Sequence, residues 1–473
     1  MIPAAARRRV GAHWLLGWRG PELAADFLRL LERYAPPAVI LFRDNLPEGP
    51  AALAPLRRRL EAAAGRELLL FLDEEGGWIQ QLHPAPWPAP RAQAMAGPAA
   101  VRACHQAMAA TVRAQGIEVL ITPLADLDDG ARNPVIGTRS FGGEPAAAAA
   151  AVAAALRGLA AGGVLAVIKH YPGHGDSLED SHLSLPAVPA DRRQALLPFR
   201  AGVAAGAPAL MSAHLQLAGD VDLRPATFRP DLMRDRLRDE LGFAGLVITD
   251  ALEMAGAAVV PLADRGTAAF AAGCHLLTLA RWEPGAELMV EAMAAALERG
   301  ALRQAWLDEA DERWLAFRAA LPARGTPPVP APDGAAIART AVFVPGGGEW
   351  RPLPVGTPVD LELGPLGSWR PEVFGRALAA AGLAPRALGA ADASMAPVYL
   401  YLGRSAPADG RQAELAARAA RGEAPAVLCN GVWGWTLPFP HRLATSESSP
   451  AGLAALLAAA GLLDDKRQGG DRG

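Results

Sequence analysis

The chain has 473 residues, of which 51% are hydrophobic and 20% are charged, so it is long enough for a large core and more than one domain. Its formal net charge is -3 and its basic residues form no block, which argues against nucleic acid as a partner. The alanine run from Pro145 to Leu156 is too weakly hydrophobic for a convincing membrane span. We therefore expect a soluble protein with neither a nucleic-acid nor a membrane partner.

The cysteines indicate a reducing environment. Cys104, Cys274 and Cys429 lie far apart in the sequence, each in an apolar setting. This distribution suits buried reduced thiols and does not suit a disulfide framework or a zinc knuckle. A cytoplasmic location is expected.

Eight short apolar segments, rich in β-branched residues, predict β-strands in the amino-terminal part of the chain. Leucine-, alanine- and arginine-rich segments between them predict helices. This alternation is typical of parallel strands joined by crossover helices. The predicted strands run from Val10 to Trp18, Ala38 to Phe42, Leu68 to Asp73, Val119 to Asp126, Val164 to Tyr171, Ala209 to Leu215, Leu246 to Asp250 and Cys274 to Ala280.

Eight such units match the size and repeat of a (β/α)8 TIM barrel, although a doubly wound open sheet would also alternate strands and helices. The polar residues separate the two folds. Asp73, Asp126, Lys169, His214 and Asp250 stand at the carboxyl ends of five different predicted strands. Barrel enzymes collect catalytic groups from many strand ends, whereas open sheets use one switch point, so we predict a TIM barrel.

A proline-rich stretch, LPARGTPPVPAPDG, runs from Leu321 to Gly334 and can hold neither a helix nor a central strand. It predicts a boundary between the barrel and a smaller α/β domain of sandwich-like architecture. The charged, glycine-rich end of the chain is predicted to be disordered. The predicted regions are a catalytic domain at 1–321, a linker at 322–335, the small domain at 336–463 and a tail at 464–473. Within the small domain, strands are predicted at 340–344, 359–363, 398–402 and 426–429, with helices near 371–381 and 410–420.

The segment KHYPGHGDSLEDSH, from Lys169 to His182, is the densest cluster of chemically active residues. In one interpretation His182 is a general acid/base, and the adjacent Asp180 fixes its tautomer and tunes its basicity. In a second, Pro172 and the glycines shape a tight loop whose histidines satisfy buried backbone groups. In a third, the cluster binds a metal, and the ligands are His170, His174, Asp176 and His182. Composition alone does not separate these interpretations.

Asp250 ends the apolar strand segment LVIT, where a barrel presents nucleophiles. Aspartate is also a favoured helix N-cap, so capping a following helix is the alternative role for this side chain.

Taken together, these segments resemble glycoside hydrolase family 3, and within it the β-N-acetylhexosaminidases of the NagZ type. Five ordered motifs carry the resemblance and span most of the predicted barrel. The DSH sequence of the histidine-bearing loop is specific to the hexosaminidase branch. The motifs are LDEEGG at 72–77, NPVIGTRSFG at 133–142, KHYPGHG at 169–175 followed by DSH at 180–182, MSAH at 211–214 and GFAGLVITDALEM at 242–254.

The resemblance implies roles for individual residues. Asp250 matches the nucleophile that forms a covalent glycosyl-enzyme, and His182 matches the acid/base, paired with Asp180. The residues that match sugar-binding positions, with His214 of the MSAH motif grouped among them, are Asp73, Arg139, Lys169, His170 and His214. His174 is assigned to loop architecture. Lys169 and Arg139 could also form a buried ion pair with Asp73 or Asp126, and both roles can hold together.

Two positions depart from the family pattern. Glu74 stands where the family usually has glutamine, and Gln81 stands where it usually has arginine, which removes a cation near Asp73. Gln81 can still form hydrogen bonds, so the change bears on sugar specificity and does not indicate inactivity. Trp78 is a candidate to stack on a sugar face, although packing is the commoner role of a large aromatic residue.

The expected function is that of a retaining exo-β-N-acetylhexosaminidase, which releases N-acetylglucosamine from short glycans such as cell-wall fragments without metal or organic cofactor. Within the same family, a β-glucosidase or β-xylosidase is the alternative, and the DSH motif argues against it. A histidine acid/base also leaves room for phosphate as acceptor, because it need not repel an anion. From other classes, a metal-dependent hydrolase and a non-catalytic sugar-binding relative stay open.

Overall fold

The computed structural model describes most of the first 322 residues and separate elements beyond them. The described residues are 2–47, 49–77, 79–82, 87–128, 133, 135–177, 179, 181, 183–322, 332–334, 336–337, 342–343, 359–363, 398–402, 417, 426–430, 442–445 and 450–460.

Eight parallel strands form a closed barrel, which confirms the predicted TIM-barrel fold. Each strand pairs with the next one along the chain, and the eighth pairs with the first. The strands are almost entirely buried, because helices cover their outer side and side chains fill the inside. The barrel strands are β1 (Trp14–Trp18), β2 (Ala38–Leu41), β3 (Leu69–Leu72), β4 (Val119–Leu120), β5 (Leu165–Tyr171), β6 (Ala209–Ser212), β7 (Leu246–Ala251) and β8 (Leu276–Trp282).

Strands β1 and β4 differ most from their predicted bounds, and each is shorter by four residues or more. The chain enters β1 only at Trp14, because the alanine- and arginine-rich residues before it form a helix that buries Val10. The ladder of β4 ends at Leu120, three residues before Pro123, which has no N–H to continue it. The following Ile121 still donates its N–H to Leu72 O at 2.9 Å, so the chain keeps to the barrel wall.

Helices surround the barrel. The segment Asp231–Glu240, between β6 and β7, has the wider π-helical winding. The helices of this part of the chain are α1 (Ala4–Gly11), α2 (Ala25–Tyr34), α3 (Leu53–Ala64), α4 (Pro90–Met95), α5 (Pro98–Gln115), α6 (Pro145–Gly162), α7 (Leu197–Ala204), α8 (Leu262–Ala272), α9 (Leu288–Glu298) and α10 (Gln304–Ala319).

Among the described helices, α6 alone is long and apolar enough to cross a membrane by length and composition. Half of its residues are buried inside the protein, and it packs between α5 and α7. The helix therefore has the contacts of a barrel helix.

Helix α10 covers the end of the barrel where the strands begin. Arg313 donates to the carbonyl of Ala244, just before β7, and Arg318 pairs with Glu67, just before β3. The Phe317 ring stacks on Phe71 inside the barrel, with the ring centroids 6.3 Å apart. This end is closed by packed aromatic side chains, so the opposite, carboxyl end is the face that can receive a ligand.

Beyond the barrel lies a five-stranded sheet in the order β9-β13-β12-β11-β10. All neighbours are parallel except β9 and β13. The strands are β9 (Val342–Phe343), β10 (Val359–Leu363), β11 (Val398–Leu402), β12 (Ala426–Asn430) and β13 (Arg442–Thr445), and a further helix, α11, spans Pro450–Ala459.

Several predictions for this part lie largely outside the described residues. These are the linker at 322–335, the helices near 371–381 and 410–420, and the tail at 464–473. The domain boundaries therefore stay predictions.

Candidate active site

The predicted site residues gather at the carboxyl end of the barrel. Asp73 follows β3 directly, Lys169 lies within β5 and Asp250 lies within β7. Arg139 ends a short 3-10 turn, Gly137–Arg139, in the connection after β4. Four different strand ends thus contribute side chains to one face, as expected for a barrel enzyme.

Four charged residues form a buried ion-paired cluster, which we call the charged quartet: Asp73, Glu75, Arg139 and Lys169. Lys169 Nζ lies 2.6 Å from Asp73 Oδ1 and 2.6 Å from Glu75 Oε1. Arg139 donates from Nε and Nη2 to the two Glu75 oxygens at 2.7 and 2.8 Å, a bidentate pair. Two positive and two negative charges balance, so the cluster can remain charged away from water.

The pKa values of the quartet follow from this pairing. Burial disfavours the charged form of Glu75, but Arg139 and Lys169 outweigh it and lower the pKa of Glu75 to about 2. Burial likewise opposes the charge on Lys169 and Arg139, and the neighbouring carboxylates raise both pKa values. All three groups are therefore charged at neutral pH.

Glu75 is the member that sequence reasoning missed. Lys169 pairs with Asp73 as expected, but Arg139 forms its ion pair with Glu75 in place of Asp73 or Asp126. Side chains of an extended chain alternate between two sides, so residues two apart, such as Asp73 and Glu75, share a side. That alternation in the LDEEGG motif was the available signal.

Asp126 is a buried hydrogen-bond acceptor for the end of β5 and the segment that follows it. It accepts from His170 Nδ1 at 2.7 Å and from the backbone N–H groups of His170 and His174 at 3.1 and 2.7 Å. Burial would raise the pKa of Asp126, but the His170 ring and these hydrogen bonds lower it to about 2. Because His170 donates from Nδ1, its Nε2 is the acceptor nitrogen in the neutral ring.

His174 is a buried, neutral histidine. Its Nε2 lies 2.9 Å from Ser181 Oγ, and its ring meets that of His170 edge to face at 5.9 Å. Burial and His170 lower the pKa of His174 to about 4, against opposing contributions from Asp126 and Asp250. The His174 ring is therefore uncharged at neutral pH.

Among the described residues, no three His, Cys, Asp or Glu side chains are grouped so that they could hold a metal ion, and three of the four predicted ligands make other contacts. His170 bonds to Asp126 and His174 bonds to Ser181. Asp176 forms an ion pair with Arg192 at 2.6 Å. The fourth residue, His182, lies outside the described residues.

Asp250 is half-buried, and its strand end is held from both sides. On one side Thr278 Oγ1 donates to the carbonyl of Thr249 at 2.7 Å. On the other, His214 Nε2 lies 3.0 Å from the carbonyl oxygen of Ala251. The Ala251 N–H donates to Asp250 Oδ1 at 2.7 Å, which orients the carboxylate. Sequence reasoning did not identify the two threonines.

His214 is fully buried and uses both ring nitrogens within the protein. Its Nδ1 lies 3.0 Å from Thr227 Oγ1, and its ring stacks on Phe228. These contacts place His214 behind Asp250, as a support for the strand that carries it. Its predicted role in substrate binding stays a prediction.

The two departures from the family pattern are adjacent in space. Glu74 Oε2 accepts the backbone N–H groups of Gln81 and Leu82 at 2.7 and 3.2 Å. Burial raises the pKa of Glu74 to about 8, although these bonds and the Arg43 charge lower it. Gln81 in turn accepts the N–H of Arg43 at 2.9 Å. Glu74 is therefore protonated at neutral pH and resembles the usual glutamine.

Three predicted residues lie outside the described part of the chain, and their roles stay predictions. Asp180 and His182 were assigned to acid/base catalysis, and Trp78 was a candidate for sugar stacking. Ser181, between the first two, is described and buried.

Comparison with known proteins identifies the family. Residues 23–317 match the Glycosyl hydrolase family 3 N terminal domain. A β-hexosaminidase of Stenotrophomonas maltophilia (strain R551-3) is 36% identical over 313 residues, covering 61% of this chain and 92% of the relative. A β-hexosaminidase of Pseudomonas aeruginosa (strain LESB58) is 37% identical over 283 residues, covering 58% and 84%.

A solved structure extends the likeness to nearly the whole chain. The glycoside hydrolase family 3 β-N-acetylglucosaminidase from Paenibacillus sp. str. FPU-7 superposes with a TM-score of 0.78 at 25% identity, covering 97% of each chain. The family match covers more than half of the chain and includes every site residue described above. The chain therefore belongs to glycosyl hydrolase family 3, on the branch of its β-hexosaminidase relatives, and is a glycoside hydrolase.

Proposed function

We propose that the protein is a retaining exo-β-N-acetylhexosaminidase that releases terminal N-acetylglucosamine from short glycans such as cell-wall fragments. The two curated relatives are β-hexosaminidases, and the Paenibacillus structure is a β-N-acetylglucosaminidase. The observation that carries the proposal is geometric: Asp250 lies at the carboxyl end of β7, and the segment after β7 contacts the histidine-bearing loop, where the Gly256 N–H donates to the Ser181 carbonyl at 3.0 Å. This contact supports an arrangement in which the Asp250 carboxylate faces the histidine-bearing loop. A retaining enzyme needs such an arrangement, because its nucleophile and its proton donor lie on opposite sides of the scissile bond.

The charged quartet supports the binding of a sugar. Asp73 has 22% of its side chain exposed, whereas Glu75 is fully buried and Lys169 is 3% exposed. Asp73 is thus the carboxylate that can accept hydrogen bonds from sugar hydroxyls, while Lys169 and Glu75 hold it in place. Such charge-assisted bonds discriminate strongly, because a missing hydroxyl leaves a buried charge without its partner.

The proposed reaction has two steps. The Asp250 carboxylate attacks the anomeric carbon, the glycosidic C–O bond breaks, and His182 gives its proton to the departing oxygen. His182 then takes a proton from water, whose oxygen attacks the anomeric carbon and displaces Asp250 as a carboxylate. Asp180 fixes the tautomer of His182 throughout.

The sugar specificity is tested with two chromogenic substrates, p-nitrophenyl N-acetyl-β-glucosaminide and the matching β-glucoside. We expect the wild type to cleave the first far faster. Asp250→Ala should lose activity by roughly 10³-fold or more. Asp239→Asn, an exposed aspartate of the π-helical segment, is the matched control. Cleavage of neither substrate, or full activity in Asp250→Ala, would refute the proposal.

The mechanism has its own test. His182→Ala should impair a disaccharide substrate far more than an activated aryl glycoside, because only the poor leaving group needs the proton. Equal losses would remove His182 from this role. Proton NMR of the first product should show the β-anomer, and inversion would exclude a glycosyl-enzyme. Assays in phosphate buffer separate hydrolysis from phosphorolysis, since phosphorolysis yields the sugar 1-phosphate.

We also propose a cytoplasmic location. Cys104 and Cys274 are buried free thiols, which suits a reducing compartment. Fractionation of the source cells tests this, and recovery of the enzyme outside the cytoplasmic fraction would contradict it.

A further inference from the structure

We propose that His174 is a positioning residue that, through Ser181, sets where the Asp180–His182 pair meets Asp250. The inference rests on the proposed function, which assigns acid/base catalysis to His182. It concerns the segment 170–184, which we call the histidine loop.

The base of the histidine loop is fixed to the chain that follows β4. The His174 N–H donates to Asp126 Oδ1 at 2.7 Å. Asn133 Nδ2 donates to the carbonyl oxygens of His174 and Gly175 at 2.8 and 3.0 Å. A Cβ atom at Gly175 would overlap the carbonyl oxygen of Leu127, so only glycine allows this close approach.

A buried arginine holds the same region from the other side. Arg192 Nη2 donates to the carbonyl of Gly173 at 2.7 Å, and its Nη1 pairs with Asp176 at 2.6 Å. Arg192 is only 4% exposed. The backbone on both sides of His174 is therefore held, and its imidazole extends from a fixed base.

From this base His174 reaches across the loop. Its Nε2 lies 2.9 Å from the hydroxyl of Ser181, seven residues further along the chain. Both residues are 2% exposed, so water does not compete for this hydrogen bond. Because burial keeps His174 neutral, its ring can accept a hydrogen bond from the serine hydroxyl at neutral pH.

Ser181 has a second contact, with the chain that carries Asp250. The Gly256 N–H donates to the Ser181 carbonyl at 3.0 Å, and Gly256 lies six residues after Asp250. A Cβ atom at Gly256 would lie 3.0 Å from the same oxygen. Ser181 therefore connects the base of the histidine loop with the segment after β7.

The sequence places the acid/base pair on either side of this connected residue. Consecutive Cα atoms are about 3.8 Å apart, so Ser181 is the described residue through which a contact can act on this pair. A displacement on the order of 1 Å in a catalytic group can cost about 100-fold in rate. We therefore infer that the hydrogen bond from His174 acts on catalysis through Ser181, the residue that the sequence places between Asp180 and His182.

The test compares kcat/KM on 2,4-dinitrophenyl N-acetyl-β-glucosaminide and on N,N′-diacetylchitobiose. Ser181→Ala should lower kcat/KM for the disaccharide by about 10- to 100-fold. This loss is smaller than the rate enhancement of about 10²- to 10⁴-fold that general acid/base catalysis supplies. The dinitrophenyl substrate needs no proton donor, so its value should stay within about threefold. Ser184→Ala is the matched control, since this serine of the same loop bonds to Glu179 at the surface.

Ser181→Thr and Ser181→Val are a second pair of variants, whose new side chains have nearly the same shape and differ in the hydroxyl group. Threonine keeps the hydroxyl, so it should restore disaccharide cleavage that valine does not, and any steric effect is common to both. Equal activity of this pair, or equal losses on both substrates, would overturn the inference. If His182→Ala shows leaving-group dependence and these variants do not, only the role of His174 fails. If His182→Ala shows none, the proposed acid/base fails as well.

Discussion

The two halves of the barrel mouth are built with different chemistry. On the β3 to β5 side, the charged quartet combines four ionised side chains, and Glu75 and Lys169 are almost completely buried. On the β5 to β7 side, the rings of His174 and His214 form hydrogen bonds with hydroxyl and carbonyl groups. The first half is held together by ion pairs, whereas the rings of His174 and His214 in the second half contact uncharged groups, and we call this second half the neutral half. Charged contacts in the neutral half lie at the base of the histidine loop, with Asp126 and Arg192.

This difference matches two tasks. Removing one partner from a buried ion pair leaves a charge without compensation, so the quartet tolerates little change and suits a rigid sugar pocket. A neutral hydrogen bond contributes less, and its loss costs less. The neutral half therefore suits a site where a proton must leave and return.

The largest effect is expected from breaking the charged half. Arg139→Met removes both bonds to Glu75 and leaves two carboxylates to share Lys169. We expect a loss of about 3–5 kcal/mol in the free energy of unfolding, measured with urea. We also expect about a 100-fold fall in kcat/KM, because Asp73 shifts.

Arg193→Met is the control for this variant. Arg193 also makes a bidentate pair, with Asp191, but it is 87% exposed. No measurable change is expected there. If both variants lose the same stability, the buried quartet is no stronger than a surface pair.

A smaller effect is expected from Glu74, beside the quartet. The unfolded chain releases this proton near pH 4.5, whereas the folded protein keeps it up to about pH 8. Stability from this group is complete below pH 4.5 and is lost as the pH rises toward 8. Glu74→Gln cannot ionise, so its advantage over wild type should grow across this window and reach about 3 kcal/mol at pH 7.

Thermal unfolding at a series of pH values measures this difference. Glu298→Gln, an exposed glutamate at the end of α9, should show no such trend. A constant difference between Glu74→Gln and wild type at every pH would mean that Glu74 is ionised in the folded protein.

The neutral half should respond less. His214→Phe keeps the stacking on Phe228 but removes the donor to Ala251, which should cost about 1–3 kcal/mol in stability. We expect kcat to fall with little change in KM, because the strand under Asp250 moves. His105→Phe, at another buried histidine, should cost stability and leave kcat unchanged. A rise in KM alone would favour the substrate-binding role expected from the sequence.

The smallest effect concerns salt. Because the quartet is buried, dissolved ions screen its charges only weakly. We expect kcat/KM for a neutral substrate to change less than about twofold between roughly 0.05 and 0.5 M sodium chloride. A tenfold fall would show that the pocket charges are open to solvent.

The sequence predicted the barrel because its signals are local. Apolar strand segments, and polar residues at their ends, are visible in the chain, so β2, β5 and β7 begin within one residue of their predicted starts. The start of β1 was wrong by four residues. Val10 is apolar enough for a strand, but its helical neighbours decide its conformation.

The site was predicted less completely, since partner choice is a tertiary property. Asp73, Lys169 and Asp250 lie at strand ends as predicted, whereas Asp126 lies six residues beyond the end of β4. Lys169 with Asp73 was among the expected pairs. No sequence pattern predicts that Arg139 forms an ion pair with Glu75, or that Asp126 accepts three hydrogen bonds from the histidine loop. These contacts depend on how separate loops meet.

The contacts of the histidine loop also limit how the enzyme could be redesigned. The close approach of the Leu127 carbonyl requires glycine at position 175. Asn133 and Arg192, which lie outside the loop, donate hydrogen bonds to the loop backbone. A loop transplanted alone into another barrel would lose these contacts. Any exchange of acid/base chemistry between barrels would have to move the connection after β4 and Arg192 together with it, as a single discontinuous unit.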